Sequence, residues 1–182
     1  SFELMTIRIE NSNGVQGLGY TYTLVAGAKG IHSVMRDDMA PFLLGKDEAR
    51  IEQIWKSLWW KLHYAGRGGL AIHALSAVDI ALWDLMGKQV GMPLWRLLGG
   101  ADPKIKAYAG GIDLMFTEEE LLAQTEKNLS SGFRAIKMKV GRDNLEEDVA
   151  RIAAMRKHLG KNFPRMVDAN MRWTVDEAIR AA

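Results

Sequence analysis

Ala135-Ile136-Lys137-Met138-Lys139-Val140 alternates apolar and cationic side chains with a period of two and stands between two helical patterns. A strand of that pattern puts Ile136, Met138 and Val140 on one face and Ala135, Lys137 and Lys139 on the other. Upstream, Thr117-Glu118-Glu119-Glu120 is a capping box that opens a helix running to about Ser130, where Gly132 stops it. Downstream, Asp143 or Asn144, with Glu146 or Glu147 three residues on, caps a helix to about His158 that Gly160 ends. Ile105 to Ala109 before this block and Arg165 to Asn170 after it read as strands. Strand, helix, strand, helix, strand, helix, at a spacing of about 30 residues, predicts parallel strands joined by right-handed crossovers. The class is α/β; a doubly wound sheet and a barrel both satisfy three such units.

In a parallel sheet covered by helices, the apolar face of residues 136, 138 and 140 must meet the helix layer. Lys137 and Lys139 then point to the opposite side, which in a barrel is the interior. Two ammonium groups about 7 Å apart there require a partner or a function; the alternative is an edge strand with two solvated lysines. Met166-Val167-Asp168-Ala169-Asn170 shifts the balance, because the same alternation puts Met166, Asp168 and Asn170 on one face. Two successive parallel strands thus end in polar pairs at i, i+2 spacing, at the strand ends where α/β folds place active sites. A carboxylate suits a hard cation such as Mg²⁺, and an amide can hold a substrate oxygen. A lysine beside a second cation has its pKa lowered toward that of a working base. Proton abstraction next to a carboxylate needs such a base and a metal to hold the enediolate.

The first hundred residues follow a different rhythm. Residues 2–10 and Val15 to Thr23 alternate around Asn11-Ser12-Asn13-Gly14, a hairpin pattern, and Thr23 to Gly30 is a loop. Ile31 to Leu44, Ala49 to Leu62 and Leu70 to Val90 carry apolar residues at helical spacing, punctuated by glycines. In the third helix Ile72, Leu75, Val78, Ala81, Leu82, Leu85 and Met86 form a broad face that must bury against the hairpin or a neighbouring domain. Strands followed by helices make residues 1–100 an α+β unit, with the βα units occupying 101–182. The chain opens at Ser1 inside a strand pattern, and Thr174-Val175-Asp176-Glu177 opens a helix that ends about two turns later at Ala182. Both ends predict a segment of a longer protein; a short chain with a frayed last helix is the alternative.

With 182 residues, 48% hydrophobic and 25% charged, the chain is of globular composition. A net charge of +2 without a basic block supplies no footprint for nucleic acid. The absence of cysteine excludes disulfides, thiolate nucleophiles, zinc ribbons and Fe–S clusters, so a metal here should be hard. Apolar runs such as Met39 to Leu44 are far shorter than the roughly 18 residues of a membrane span, and no signal-peptide pattern begins the chain. The expected location is the cytoplasm, with no membrane partner.

Four stretches together carry a resemblance: Ala77-Val78-Asp79-Ile80-Ala81-Leu82-Trp83-Asp84, Pro93-Leu94-Trp95-Arg96-Leu97-Leu98-Gly99-Gly100, Ile136 to Gly141, and Met166 to Asn170. The chain resembles the enolase superfamily, in its mandelate racemase and muconate lactonizing enzyme branch. The resemblance implies a capping domain over 1–100, its first strand missing, and the beginning of a modified (β/α)7β barrel, a TIM-barrel variant, over 101–182. It implies Lys139 as the base that removes the α-proton and Lys137 as its pKa-lowering neighbour, which also contacts the substrate carboxylate. Asp168 becomes the first Mg²⁺ ligand and Asn170 a polar group near the substrate. The remaining metal ligands and a His and Asp dyad fall on later strands, beyond Ala182. Tyr64 to Gly69 and Met166 to Trp173 look most like acid-sugar dehydratases acting on galactarate, talarate or related acids. The implied reaction is loss of the β-hydroxyl as water to give a 2-keto-3-deoxy acid sugar, by a homo-oligomeric lyase. Racemisation or epimerisation through the same enediolate is the isomerase alternative, and a noncatalytic fragment or assembly domain is the alternative of another class.

Other residues have plainer readings beside functional ones. Tyr20, Tyr22 and Arg67 face a bound sugar acid if the cap closes over the barrel mouth, as the resemblance implies; surface packing is the alternative. Gly17-Leu18-Gly19 and Gly66-Arg67-Gly68-Gly69 lack the strand-to-helix context of a phosphate cradle. Trp55, Trp59 and Trp60 fit a core or subunit interface. The four histidines show no metal pairing, and the helix dipole accounts for His158. Asp79 and Asp84 read as carboxylates tying cap to barrel, with ligation as the alternative.

Overall fold

The computed structural model describes residues 2–181. The chain divides into two compact units, one ending at Pro103 and the other starting at Lys104.

In the first unit β1 (Phe2–Glu10) and β2 (Gln16–Leu24) pair antiparallel, from Phe2 opposite Leu24 to Glu10 opposite Gln16. Asn11 Oδ1 accepts from the backbone N–H groups of Asn13 and Val15, both at 3.0 Å, which closes the turn at Gly14. Helices α1 (Ala28–Ser33), α2 (Ala40–Leu43), α3 (Ile51–Lys61), α4 (Gly69–Gln89) and α5 (Leu94–Leu97) follow. The helix predicted over Ile31 to Leu44 begins earlier, at Ala28, and is interrupted by a π-helical stretch at Val34–Met39. Pro41 explains the interruption: it has no N–H to donate to the carbonyl four residues back.

Helix α4 is the core of this unit, and its Ala74, Ala77, Val78, Ala81, Leu82 and Leu85 are buried. Its 21 residues and mean hydropathy of 1.4 are sufficient to cross a membrane by length and composition, contrary to the short apolar runs read from the sequence. Its buried face packs against the hairpin and α3. Burial against the hairpin requires glycine: a Cβ at Gly17 would overlap the Ala81 carbonyl, and one at Gly19 the Ala77 carbonyl. The Gly-Leu-Gly run is thus a packing feature. Asp84 adds a polar tie, accepting from Leu18 N at 2.7 Å and from Lys88 Nζ at 2.6 Å. It joins α4 to the hairpin within the first unit.

The second unit comprises β3 (Ala109–Gly110), α6 (Glu118–Ser130), β4 (Ile136–Lys139), α7 (Leu145–Leu159), β5 (Arg165–Asp168) and α8 (Val175–Ala181). The strands are parallel in the order β3-β4-β5. Thr117 and Glu120 form the expected capping box, and Asn144 caps α7 through Glu146 N at 3.0 Å. Leu121, Ile136, Met138, Val140 and Met155 make the core between strands and helices.

Two strands differ from expectation. The first, predicted over Ile105 to Ala109, is only Ala109–Gly110, and Ile105 is 91% exposed. Ala109 pairs with Ile136, the first residue of β4, so residues 105–108 precede any strand they could pair with. The third, predicted to reach Asn170, ends at Asp168. Asn170 and Met171 adopt left-handed φ values of 48° and 63°, and Asn170 N donates to Asp168 Oδ1 at 3.0 Å. This aspartate turn ends the extended backbone.

Candidate active site

Strand β4 buries Ile136 and Met138 under the helices and leaves Lys137 and Lys139 on the other face, as the alternation requires. The register of β5 places Asp168 directly opposite Lys139. Lys139 Nζ lies 2.8 Å from Asp168 Oδ2, and Lys137 Nζ lies 3.2 Å from the same oxygen. The three side chains retain 17%, 24% and 31% of their exposure for Lys139, Lys137 and Asp168, so the cluster is neither buried nor freely solvated. The solvated edge-strand alternative is thereby set aside.

One carboxylate shared by two ammonium groups determines the electrostatics. The hydrogen bond from Lys139, then those from Asn170 N and Lys137, hold the Asp168 carboxyl well below the usual carboxylate range. Lys137 is pushed up, chiefly by its hydrogen bond to Asp168. That direction is the opposite of what two ammonium groups alone produce, and Asp168 is the reason. Lys137 Nζ also lies 5.4 Å from the centre of the Tyr108 ring.

Asp168 provides the hard oxygen donor that Mg²⁺ prefers, at a strand end. Among the described residues no three His, Asp or Glu side chains converge on a common point. Asp168 would therefore hold such a cation as one ligand among several.

The remaining sequence-predicted residues are placed differently. Asn170 stands outside the strand alternation, is exposed, and reaches the cluster through its backbone N–H. Tyr20 lies on the outer face of β2 opposite Thr6 and is 54% exposed. The Arg67 guanidinium lies over Trp60 and Trp59, 4.6 and 5.0 Å from their ring centres. Trp55 and Trp59 stack at 5.2 Å beside a cavity of about 450 Å³ that Asp79 also lines. Burial pushes the Asp79 carboxyl up.

Sequence reasoning missed a buried charged group beneath the cluster. Asp113, Asp148 and Arg151 are 1%, 0% and 4% exposed. Asp148 and Arg151 lie three residues apart on the α7 face that also buries Met155. A charged i, i+3 pair inside an apolar stripe was the available sign.

Comparison with known proteins identifies these units. Residues 2–99 match the family model described as mandelate racemase / muconate lactonizing enzyme, N-terminal domain, and residues 120–182 match the model described as enolase C-terminal domain-like. The chain is 59% identical over 181 residues to the 3,6-anhydro-alpha-L-galactonate cycloisomerase of Streptomyces coelicolor, covering 100% of this chain and 50% of that protein. It is 36% identical over 178 residues to the L-talarate/galactarate dehydratase of Salmonella typhimurium, covering 97% and 44%. A racemase from Streptomyces coelicolor A3(2) solved with bound magnesium superimposes with a TM-score of 0.94 at 58% identity, over 99% of this chain and 54% of that one. The L-talarate dehydratase of Polaromonas sp. JS666, complexed with Mg and L-glucarate, gives a TM-score of 0.88 at 37% identity, over 99% and 50%. The chain spans about half the length of the curated relatives it matches. The choice left open by three βα units falls to the barrel, preceded by an N-terminal capping domain.

Proposed function

The chain belongs to the mandelate racemase/muconate lactonizing enzyme family of the enolase superfamily, and from that premise we propose that its full-length protein removes the α-proton of a sugar acid and expels the β-oxygen. The preferred substrate class is a 3,6-anhydro sugar acid. The observation that carries this reading is the Lys139–Asp168 pair, a base and a hard-cation ligand 2.8 Å apart at the ends of adjacent parallel strands.

In this mechanism Lys139, in its neutral form, accepts the α-proton at Nζ. Lys137 is held cationic by its upward shift and serves as the electrostatic anchor of the substrate carboxylate. Asp168 would hold Mg²⁺, which when bound would supply positive charge toward the developing enediolate. Collapse of the enediolate breaks the bond from the β-carbon to its oxygen. In a 3,6-anhydro acid that oxygen belongs to the ring, so the ring opens; the freed alkoxide takes up a proton in place of the one Lys139 removed, the enol tautomerises with protonation at C3, no atom leaves, and the product is an isomeric 2-keto-3-deoxy acid. In an open-chain acid sugar the same bond breaking releases water, which is the dehydratase reading.

The two readings share every step up to the enediolate. The cycloisomerase relative, more similar to this chain than the dehydratase described above, favours ring opening; the dehydratase similarity supports the second reading. Proton NMR of the full-length, Mg²⁺-loaded enzyme in D₂O, with 3,6-anhydrogalactonate and galactarate as substrates, separates them. A 3-deoxy methylene from the anhydro acid with no loss of water supports the proposal. Turnover of galactarate alone moves the assignment to dehydration, and α-proton exchange without elimination moves it to racemisation or epimerisation. No exchange with either acid removes Lys139 as their base.

A further inference from the structure

We infer that Asp113 and Arg151, braced by Asp148, are positioning residues that hold the backbone of Lys139 and so aim its Nζ; the assignment rests on the reading of Lys139 as the base. Neither Asp113 nor Arg151 reaches the lysine's ammonium group. Both act on its main chain. Asp113 Oδ1 accepts from Lys139 N at 2.7 Å, and Arg151 Nη1 donates to Lys139 O at 2.9 Å.

The sheet explains why side chains are needed there. The backbone carbonyls of alternate residues from the one before β4 onward point toward β3: Ala135 O accepts from Ala109 N, and Lys137 O accepts from Gly111 N. Lys139 is next in that series, but β3 ends at Gly110, so among the described residues no strand continues beside it on that side. Its other neighbour cannot help, because the β5 side is served by Ile136 and Val140. Asp113 and Arg151 complete the ladder with side-chain atoms in place of a third pair of strand residues.

The group is built as a unit. Arg151 Nη2 donates to the Asp113 carbonyl at 2.6 Å, and Nη1 to Asp148 Oδ1 at 3.2 Å. Asp148 Oδ2 accepts from Gly141 N at 2.7 Å and Arg142 N at 2.8 Å, fixing the turn that follows the lysine. Gln124 Nε2 donates to Asp113 Oδ2 at 3.0 Å and fixes the carboxylate plane. Three charges this deeply buried carry a desolvation penalty that apolar residues would avoid. Arg151 Nε even lacks a hydrogen-bond partner among the described residues. What they secure is the location of one backbone segment, the one bearing the base.

The test compares Asp113→Ala with Asp113→Asn in the full-length, Mg²⁺-loaded enzyme. Asparagine keeps an oxygen for Lys139 N; alanine does not. For Asp113→Ala, kcat is expected to fall by about 100-fold, the cost of misplacing a reacting group by about 1 Å. KM and the calorimetric Mg²⁺ affinity should stay within about threefold, and Asp113→Asn should recover at least about tenfold in kcat. Independently of substrate, residue-resolved hydrogen exchange should show the Lys139 amide exchanging about tenfold or more faster in the alanine variant, with the α6 amides unchanged. An active wild type matched in kcat by Asp113→Ala overturns the positioning role alone. So does a parallel loss of kcat, Mg²⁺ affinity and thermal stability that asparagine fails to recover, which would make the group merely structural. A wild type inert toward every sugar acid overturns the reading of Lys139, and the positioning role with it.

Discussion

Lys139 and Asp168 face each other across the β4–β5 ladder as register partners, and their side chains meet at 2.8 Å on the face turned away from the helices. Parallel pairing brings together two residues 29 positions apart in the chain. Lys139 belongs to a strand whose helix-facing Ile136 and Met138 are buried, so its orientation is a consequence of packing as much as of charge.

Replacing Lys139 by alanine should leave the fold intact, since Asp113 and Arg151 still hold its backbone and Lys137 remains paired with Asp168. Solvent exchange of the substrate α-proton should fall by about 10²–10⁴-fold, as for loss of a general base. Circular dichroism and NMR exchange on the same sample check both halves; undiminished exchange would assign the base elsewhere.

Lys137→Met removes the cation proposed to anchor the substrate carboxylate while keeping the length of the side chain. KM should rise by about tenfold or more, the cost of one charge-assisted contact, with a smaller effect on kcat. Steady-state kinetics over a range of sugar-acid concentrations distinguishes this from a loss confined to kcat.

The charge cluster predicts a pH dependence of stability. The folded-state pKa of Asp168 is depressed, so its contribution is present above the unfolded carboxylate value of about 4 and lost as pH falls toward the folded value. Lys137 has a raised folded-state value, so its contribution is complete below about pH 10 and lost as pH rises through that value. In thermal melts Asp168→Asn should be less stable than wild type at pH 7, with the difference narrowing below about pH 4. A gap that stays constant down to pH 2 would contradict the ion-pair origin.

At the hairpin, Gly19→Ala drives a methyl group into the Ala77 carbonyl of α4. The expected loss is about 1–3 kcal/mol, the usual cost of overpacking, or failure to fold. Urea denaturation measures it, and a neutral effect would mean that α4 can move off β2.

Much of the fold was legible because its determinants are local. The Asn11 turn, the Thr117 and Asn144 caps and the alternation of β4 each depend on residues within a few positions of one another. The lysines and Asp168 were legible for the same reason, since a period of two assigns their face once the sheet is known to be parallel. The errors arose where a residue answers to a distant partner. Ile105 to Tyr108 have the composition of a strand but, among the described residues, no strand beside them. Asn170 continues the alternation of Asp168 in sequence, yet its own N–H closes a turn on that aspartate.

The sequence by itself determined most of the elements, the face that β4 buries and the chemistry of the groups left on its other face, because propensity, capping and alternation act over a few residues. Only the tertiary structure decided that Asp168 pairs with both lysines and that Asp113 and Arg151 hold the backbone of Lys139. Strand register and the burial of charge are long-range quantities. They exist only once residues 26 or 29 positions apart are packed side by side.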